Sequence, residues 1–308
     1  MITNTNKHLY PSLQLLTFMA ITIGVIAVGY FIGAALVTWL YGADALMAIA
    51  QQNFSAPYIS NTLWILQIVS TTIPIMAVSL IFAYAIVREP AEYLKPKLKV
   101  PPLLWVLVFC MMFISSPVIE LLSNINQKLV LPHFLDGIQK WMRDSEDQAK
   151  KLTDILLHMT TIGDMIIRVL VIGLLTAIVE EFMFRGCIQT IFMRWTKNTH
   201  AAIWITAVLF SAFHMEFFGF LPRLMLGVLF GYFVAWSGSI WTGVWAHFIN
   251  NSAAVVATYF FQNKMTKLNP DDQHIFNYGS YLFSFIIILF LLYLYRDIAT
   301  GKKKLPAL

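Results

Sequence analysis

MIIRVLVIGLLTAIVEEFMFRG, residues 165–186, is the stretch that decides the fold. From Val169 to Val179 it carries no charge, and two adjacent carboxylates, Glu180 and Glu181, close the run. A bilayer core about 30 Å thick needs about 20 apolar residues as helix. Residues 165–184 meet that length and read as a membrane span.

The same reading extends outward. Further candidate spans are residues 15–40, 63–87, 103–122, 201–218, 222–236, 240–261 and 279–295. Of the 308 residues, 58% are hydrophobic and 12% charged, where a soluble domain carries about 25% charged residues. Mean hydropathy is +0.70. Aromatics at 15% suit lipid-facing surfaces and interface belts. The expectation is an all-α, polytopic integral membrane helical bundle of about eight transmembrane helices, with residues 1–308 forming a single transmembrane domain. The first run, near Leu15 to Leu40, exceeds the length of a signal h-region and reads as a span.

Two cysteines, Cys110 and Cys187, suggest neither a disulfide framework nor a thiolate metal site. The net charge of +5 comes from scattered basic residues, with no basic domain to hold nucleic acid. Arg88, Lys95, Lys97, Lys99, Arg185, Arg194, Lys197, Arg296 and Lys302, together with Lys7, Lys303 and Lys304, fall in segments that share one side. The positive-inside rule then puts both termini in the cytoplasm, with the cell membrane as the expected location. The opposite side holds a long loop at about 124–162. In it Phe134, Ile138, Trp141 and Met142 recur at helical spacing, as do Leu152, Ile155, Leu156 and Met159. This pattern predicts amphipathic helices on the outer surface, serving as an ordinary connector or as a membrane-surface element. Pro74 and Pro117 should kink their spans. Gly29 with Gly33 and Gly227 with Gly231 should let helices approach closely within the molecule.

A charge at the centre of a membrane helix costs roughly 2.5–3.5 kcal/mol on insertion scales. Buried ionisable residues are therefore functional candidates. Successive helix residues differ by about 100°, so Glu180 and Glu181 point to different sides. Arg185 lies four residues after Glu181, in the favourable order for a pair. Glu181 can then hold the helix end with Arg185, leaving Glu180 to point into the bundle. Phe210 and His214 share a face of the next run. A lone buried His is more often a hydrogen-bonded core residue than a catalyst. His247 and Asn251 lie one turn apart on a third run and project to one side. They serve equally as interhelical glue, and Asn250 is the alternative amide. Taken together, a carboxylate, two His and an Asn from three spans are an inventory for water-mediated hydrolysis. The carboxylate takes a proton from water, and the remaining groups position the water or stabilise an oxyanion.

The order Glu180-Glu181-x-x-x-Arg185, Phe210-x-x-x-His214, His247-x-x-x-Asn251 resembles the CPBP (Abi) family of intramembrane proteases, whose relatives include the type II CAAX prenyl endopeptidases. The motifs occupy 180–251, about a quarter of the chain. The resemblance implies a polar cavity and peptide-bond hydrolysis in or near the membrane. It implies Glu180 as the water-activating base beside His214, with His247 and Asn251 as oxyanion donors and Glu181, Arg185 and Phe210 in support. A metal-free mechanism is expected, without cofactor. Zinc held by His214, His247 and Glu180 is the runner-up. Expected partners are the lipid bilayer and a peptide or membrane-protein substrate, lipidated or not. A non-enzymatic scaffold or immunity protein is one alternative. A proton-coupled transporter is another, although no inverted repeat is visible.

Overall fold

The computed structural model describes residues 9–270 and 275–302. Lys7, Lys303 and Lys304 lie outside them. Among the described residues there is no strand. The helices are α1 (Pro11–Tyr41), α2 (Ala43–Ala50), α3 (Ile59–Ile86), α4 (Pro90–Leu94), α5 (Pro102–Ile114) and α6 (Ser116–Gln127). They continue as α7 (Asp136–Leu156), α8 (Ile162–Thr196), α9 (Thr199–Phe213), α10 (Phe220–Ser237), α11 (Ile240–Gln262) and α12 (Tyr278–Ala299).

The chain is a multi-pass, all-α integral membrane protein, but the expected count of eight spans is not reached. Among the described residues, five helices are long and apolar enough to cross a membrane: α1, α3, α8, α12 and the segment Phe217–Ser237 that contains α10. The pair α5–α6 makes a sixth if its 43° bend is counted within one span. Two expected spans fall short for different reasons. The fifth, 201–218, falls on α9, which is only 15 residues long. The seventh, α11, has 23 residues, but His247, Asn250, Asn251 and Ser252 interrupt its apolar run.

The contacts divide the chain into two compact units. The first comprises residues 1–95 and 182–202. Here α1 lies against α3 at its glycines. A Cβ at Gly29 would collide with Pro74, and one at Gly33 with Ser70 Oγ. The glycine pattern thus serves packing within the molecule. Pro74 has no amide to offer a preceding carbonyl. The turn before it, Leu66–Thr72, is π-helical, and Thr72 Oγ1 donates to Gln67 O, five residues back, at 2.9 Å. Beyond α3, Arg194 pairs with Glu89 and with Glu92, the latter at 2.6 Å. Tyr93 donates to Gln14 Oε1, and Lys95 Nζ to Thr190 Oγ1.

The second unit comprises residues 96–181 and 203–308. Its core is built from α5, α10, α11 and α12 through Leu104, Val108, Met111, Phe230, Phe233, Ala246 and Tyr295, all buried. Lipid tails are as apolar as these side chains, so packing and buried hydrogen bonds hold the helices together. Tyr295 donates to Phe233 O at 3.0 Å. Glu120 accepts the amides of Ile275 and Phe276 at 3.1 Å each and the hydroxyl of Tyr281 at 2.8 Å. Gly227 lets α10 reach α9, where a Cβ would stand 3.0 Å from that of Ala207. The bend between α5 and α6 falls at Ser115–Ser116, just before Pro117. The two apolar repeats of the long loop belong to one continuous helix, α7, of 21 residues rather than to separate helices. Phe134 precedes that helix, and Met159 follows it and is buried.

Candidate active site

α8 opens on a reciprocal cap. Thr161 Oγ1 accepts the Asp164 amide at 3.0 Å, and the Asp164 carboxylate accepts the Thr161 amide at 2.9 Å. One turn below, Val169–Leu175 is π-helical. A π turn carries one extra residue and leaves carbonyls without their usual partners. Thr176 Oγ1 takes Val171 O at 3.1 Å, and Asn251 Nδ2 takes Ile172 O at 3.2 Å. Gly173 admits α11 here, because a Cβ would stand 2.5 Å from Ser252 Oγ. The helix then resumes its regular pitch through Thr176–Glu181 and delivers the two carboxylates.

Glu180 and Glu181 meet α11 differently. Glu181 is fully buried, and its Oε1 lies 3.1 Å from His247 Nδ1. A buried carboxylate is tolerated only when it is paired. Glu180 Oε2 stands 3.9 Å from His247 Nε2 and 3.9 Å from His214 Nε2. Side-chain exposure rises outward, from 0% for Glu181 and 5% for His247 to 17% for Glu180 and 26% for His214. Glu180 and His214 are thus the more accessible members, and Glu181 is the most enclosed.

The ring partners decide the imidazole protons. His214 Nδ1 is 2.8 Å from Phe210 O, which can only accept. His247 Nδ1 faces the Glu181 carboxylate, which accepts when ionised. His214 Nδ1 therefore carries hydrogen, as does His247 Nδ1 when Glu181 is ionised, and in rings that are then neutral both Nε2 lone pairs are turned toward Glu180. Phe230 stacks on the His247 ring with centroids 5.1 Å apart. Phe210 meets His214 and His247 edge-on, at 5.0 and 5.8 Å.

The 3.9 Å gaps are too long for direct hydrogen bonds. One water oxygen placed about 2.8 Å from each atom would span either gap, subtending about 90°. A zinc ion needs ligand atoms at about 2.0–2.2 Å in a tetrahedral array, hence about 3.4 Å apart. Each N···O edge would have to contract by about half an ångström, so the three atoms as they stand do not fit zinc. Among the described residues, no group of three or more His, Cys, Asp or Glu is set to hold a metal ion.

Glu180, Glu181, Phe210, His214 and His247 come together as one cluster. Asn251 is tied elsewhere, to Ile172 O and to Asn250, whose Nδ2 donates to Asn251 Oδ1 at 3.3 Å. One Asn251 N–H remains for another acceptor. Arg185 is fully buried. The chain order of motifs is matched at the level of sequence. Residues 162–253 fit the family model for type II CAAX prenyl endopeptidase, Rce1-like. The matched segment contains every residue of the cluster. The chain is also similar to the uncharacterized protein YpbD of Bacillus subtilis (strain 168), 25% identical over 111 residues, which cover 35% of this chain and 52% of that protein. The chain thus spans about half the length of the curated relative it matches. No solved structure matches.

Two members were not singled out from the sequence. Gly243 carries no Cβ where one would lie 2.6 Å from Glu181 Oε2. Its signal was present: it precedes His247 by one helical turn, on the face that holds the site. Phe230 lies between Gly227 and Gly231, and nothing in the sequence distinguishes it from a core aromatic.

Proposed function

We propose that this protein is an intramembrane endopeptidase in which Glu180 activates a water molecule to hydrolyse a peptide bond. The observation that carries the reading is the placing of Glu180 Oε2 at 3.9 Å from the Nε2 atoms of both His214 and His247. The match of the surrounding segment to the Rce1-like family supports it.

The chemistry follows from the proton positions. A water bridging Glu180 and His214 gives one hydrogen to the carboxylate and the other to the Nε2 lone pair. Its own lone pair is then free to attack a carbonyl carbon. Glu180 takes the first proton as the C–O bond forms and passes it to the departing amine as the C–N bond breaks. The tetrahedral intermediate needs donors for its oxyanion. His247 supplies one only as an imidazolium, through Nε2–H, and Glu181 is the counter-ion for that state. The remaining N–H of Asn251 is the second donor. No step requires a metal. The substrate is a peptide or membrane protein, lipidated or not, reached from the bilayer. Both termini lie in the cytoplasm, and the membrane is the cell membrane.

The test is cleavage by purified protein in lipid vesicles, using a fluorogenic prenylated CAAX peptide and its unmodified twin. Glu180→Gln keeps the shape and removes the base. It should lower turnover by about 10²–10⁴-fold with an unchanged unfolding midpoint. Full turnover by the folded variant, or no cleavage of either peptide by the wild type, would overturn the proposal.

A further inference from the structure

His214 sits just past the end of α9, where helices fray unless something holds them. Among the described residues, the one hydrogen bond of its ring is to Phe210 O, in its own last turn. Met215 leaves the helix with φ of 54°, and a short 3₁₀ turn, Phe217–Gly219, carries the chain into α10. The direction in which His214 points therefore depends on what fixes that turn.

The turn is held by side chains from two other helices. Asn126 on α6 is buried and grips it at both ends. Its Nδ2 donates to Phe217 O at 2.9 Å, and its Oδ1 accepts the Leu221 amide at 2.6 Å. Gln127 Nε2 donates to Phe218 O at 3.3 Å. From α7, the half-buried Glu146 accepts the Phe218 amide at 3.0 Å. The Arg143 guanidinium lies 3.3 Å from the centroid of the Phe218 ring. Arg143 also donates to Gln127 O at 3.0 Å and to Gln127 Oε1 at 3.2 Å. The rings of Trp141 and Phe217 meet with centroids 5.3 Å apart. The amide and carbonyl of Phe218 and the carbonyl of Phe217 are thus all bound by side chains distant in sequence.

We infer that α7 is part of the catalytic apparatus: Glu146 and Arg143 are positioning residues that fix the Phe217–Gly219 turn and, through it, the place of His214 beside Glu180. The inference rests on the function proposed above. A connector between spans has no need of a carboxylate on a turn amide, nor of a guanidinium stacked on the adjoining ring. A water activated by two groups is sensitive to the placing of either one. Removing the Glu146 carboxylate frees the Phe218 amide and lets the turn, and His214 with it, sample other directions.

The experiment uses the full chain in lipid vesicles, with two readouts: steady-state cleavage, and hydrogen exchange of the backbone at 215–219. Glu146→Ala should raise exchange there and lower kcat by about ten- to a hundredfold, with KM unchanged. Glu146→Gln keeps an acceptor for the Phe218 amide and should restore both to near the wild-type level. Arg143→Ala should move both readouts in the same direction, and it carries the test if Glu146→Ala does not fold. Raised exchange with unchanged kcat would refute the positioning role, and unchanged exchange would refute the clamp. Glu180→Gln in the same assay separates the two proposals. Full cleavage by that variant would remove the base, while the exchange data would still judge the clamp.

Discussion

Gly243→Ala adds one methyl group where two neighbours already stand. The new Cβ would lie 2.6 Å from Glu181 Oε2 and 2.7 Å from Val234 Cγ2. Separations below 3.0 Å essentially never occur for real Cβ atoms, so something must retreat by several tenths of an ångström. Val234 is fully buried on α10, and its side chain is short and branched at Cβ. The Glu181 carboxylate moves more easily, but its other oxygen is bonded to His247 at 3.1 Å, and that bond stretches toward the limit of about 3.5 Å. Overpacking costs about 1–3 kcal/mol, and a hydrogen bond to a charged group is worth about 1.5–3 kcal/mol. The two share one relaxation and do not add, so the expected loss is about 2–4 kcal/mol. Loosening His247 should lower kcat by about a hundredfold. The assay is thermal unfolding followed by tryptophan fluorescence in detergent, together with peptide cleavage. Glu181→Asp shortens the opposing side chain by one methylene, so the double variant should recover part of the stability lost by Gly243→Ala alone. Wild-type stability and turnover in Gly243→Ala, or strict additivity in the double variant, would refute the reasoning.

Burial pushes the Lys95 ammonium down to about 8 from its ordinary 10.5. Between those values the unfolded chain still binds a proton that the folded chain has released, so stability rises with pH across that window. Lys95→Met should abolish the rise, and parallel midpoint-versus-pH curves for the two proteins would contradict it. Protein washed with chelator should keep its turnover and contain no stoichiometric zinc by elemental analysis; turnover that returns only with added zinc would reverse the metal-free reading. Asn251→Ala should cut kcat by about 10²–10³-fold, and Asn250→Ala by much less; the opposite ranking in peptide cleavage would assign the oxyanion to Asn250.

The parts of the fold legible in the sequence were those that lipid dictates. Long uncharged runs gave α1, α3 and α8, and Pro117 marked the bend of α5–α6. The count failed where membrane helices carry the site. α11 is diluted by His247 and its amide neighbours, and α9 ends at Phe213, just before His214. The division into two units was not legible, because two of its boundaries, Glu181–Phe182 and Ala202–Ile203, fall inside the helices α8 and α9 rather than in linkers. For the site, ionisable residues within apolar runs singled out Glu180, His214 and His247, and the structure sets both imidazoles 3.9 Å from Glu180. The contact of Glu181 with His247 was harder to read. Helical spacing addresses only neighbours along one helix, whereas His247 is 66 residues distant in sequence and only packing brings it near.

That contact explains why two neighbouring carboxylates are useful where one would seem to suffice. Adjacent residues on a helix diverge by about 100°, so both can address a single ring inserted between them. Glu181 takes Nδ1 of His247 at 3.1 Å, and Glu180 faces Nε2 of the same ring at 3.9 Å. The closer carboxylate fixes the ring's proton and orientation and is spent in doing so. The farther one is held at a separation that a direct bond cannot close and a water molecule can. With a single carboxylate the imidazole would be free to turn, and its tautomer would be set by chance. With both carboxylates in direct contact with the ring, no basic oxygen would remain for the water. On this reading the difference between 3.1 and 3.9 Å is what separates the positioning residue from the catalytic one.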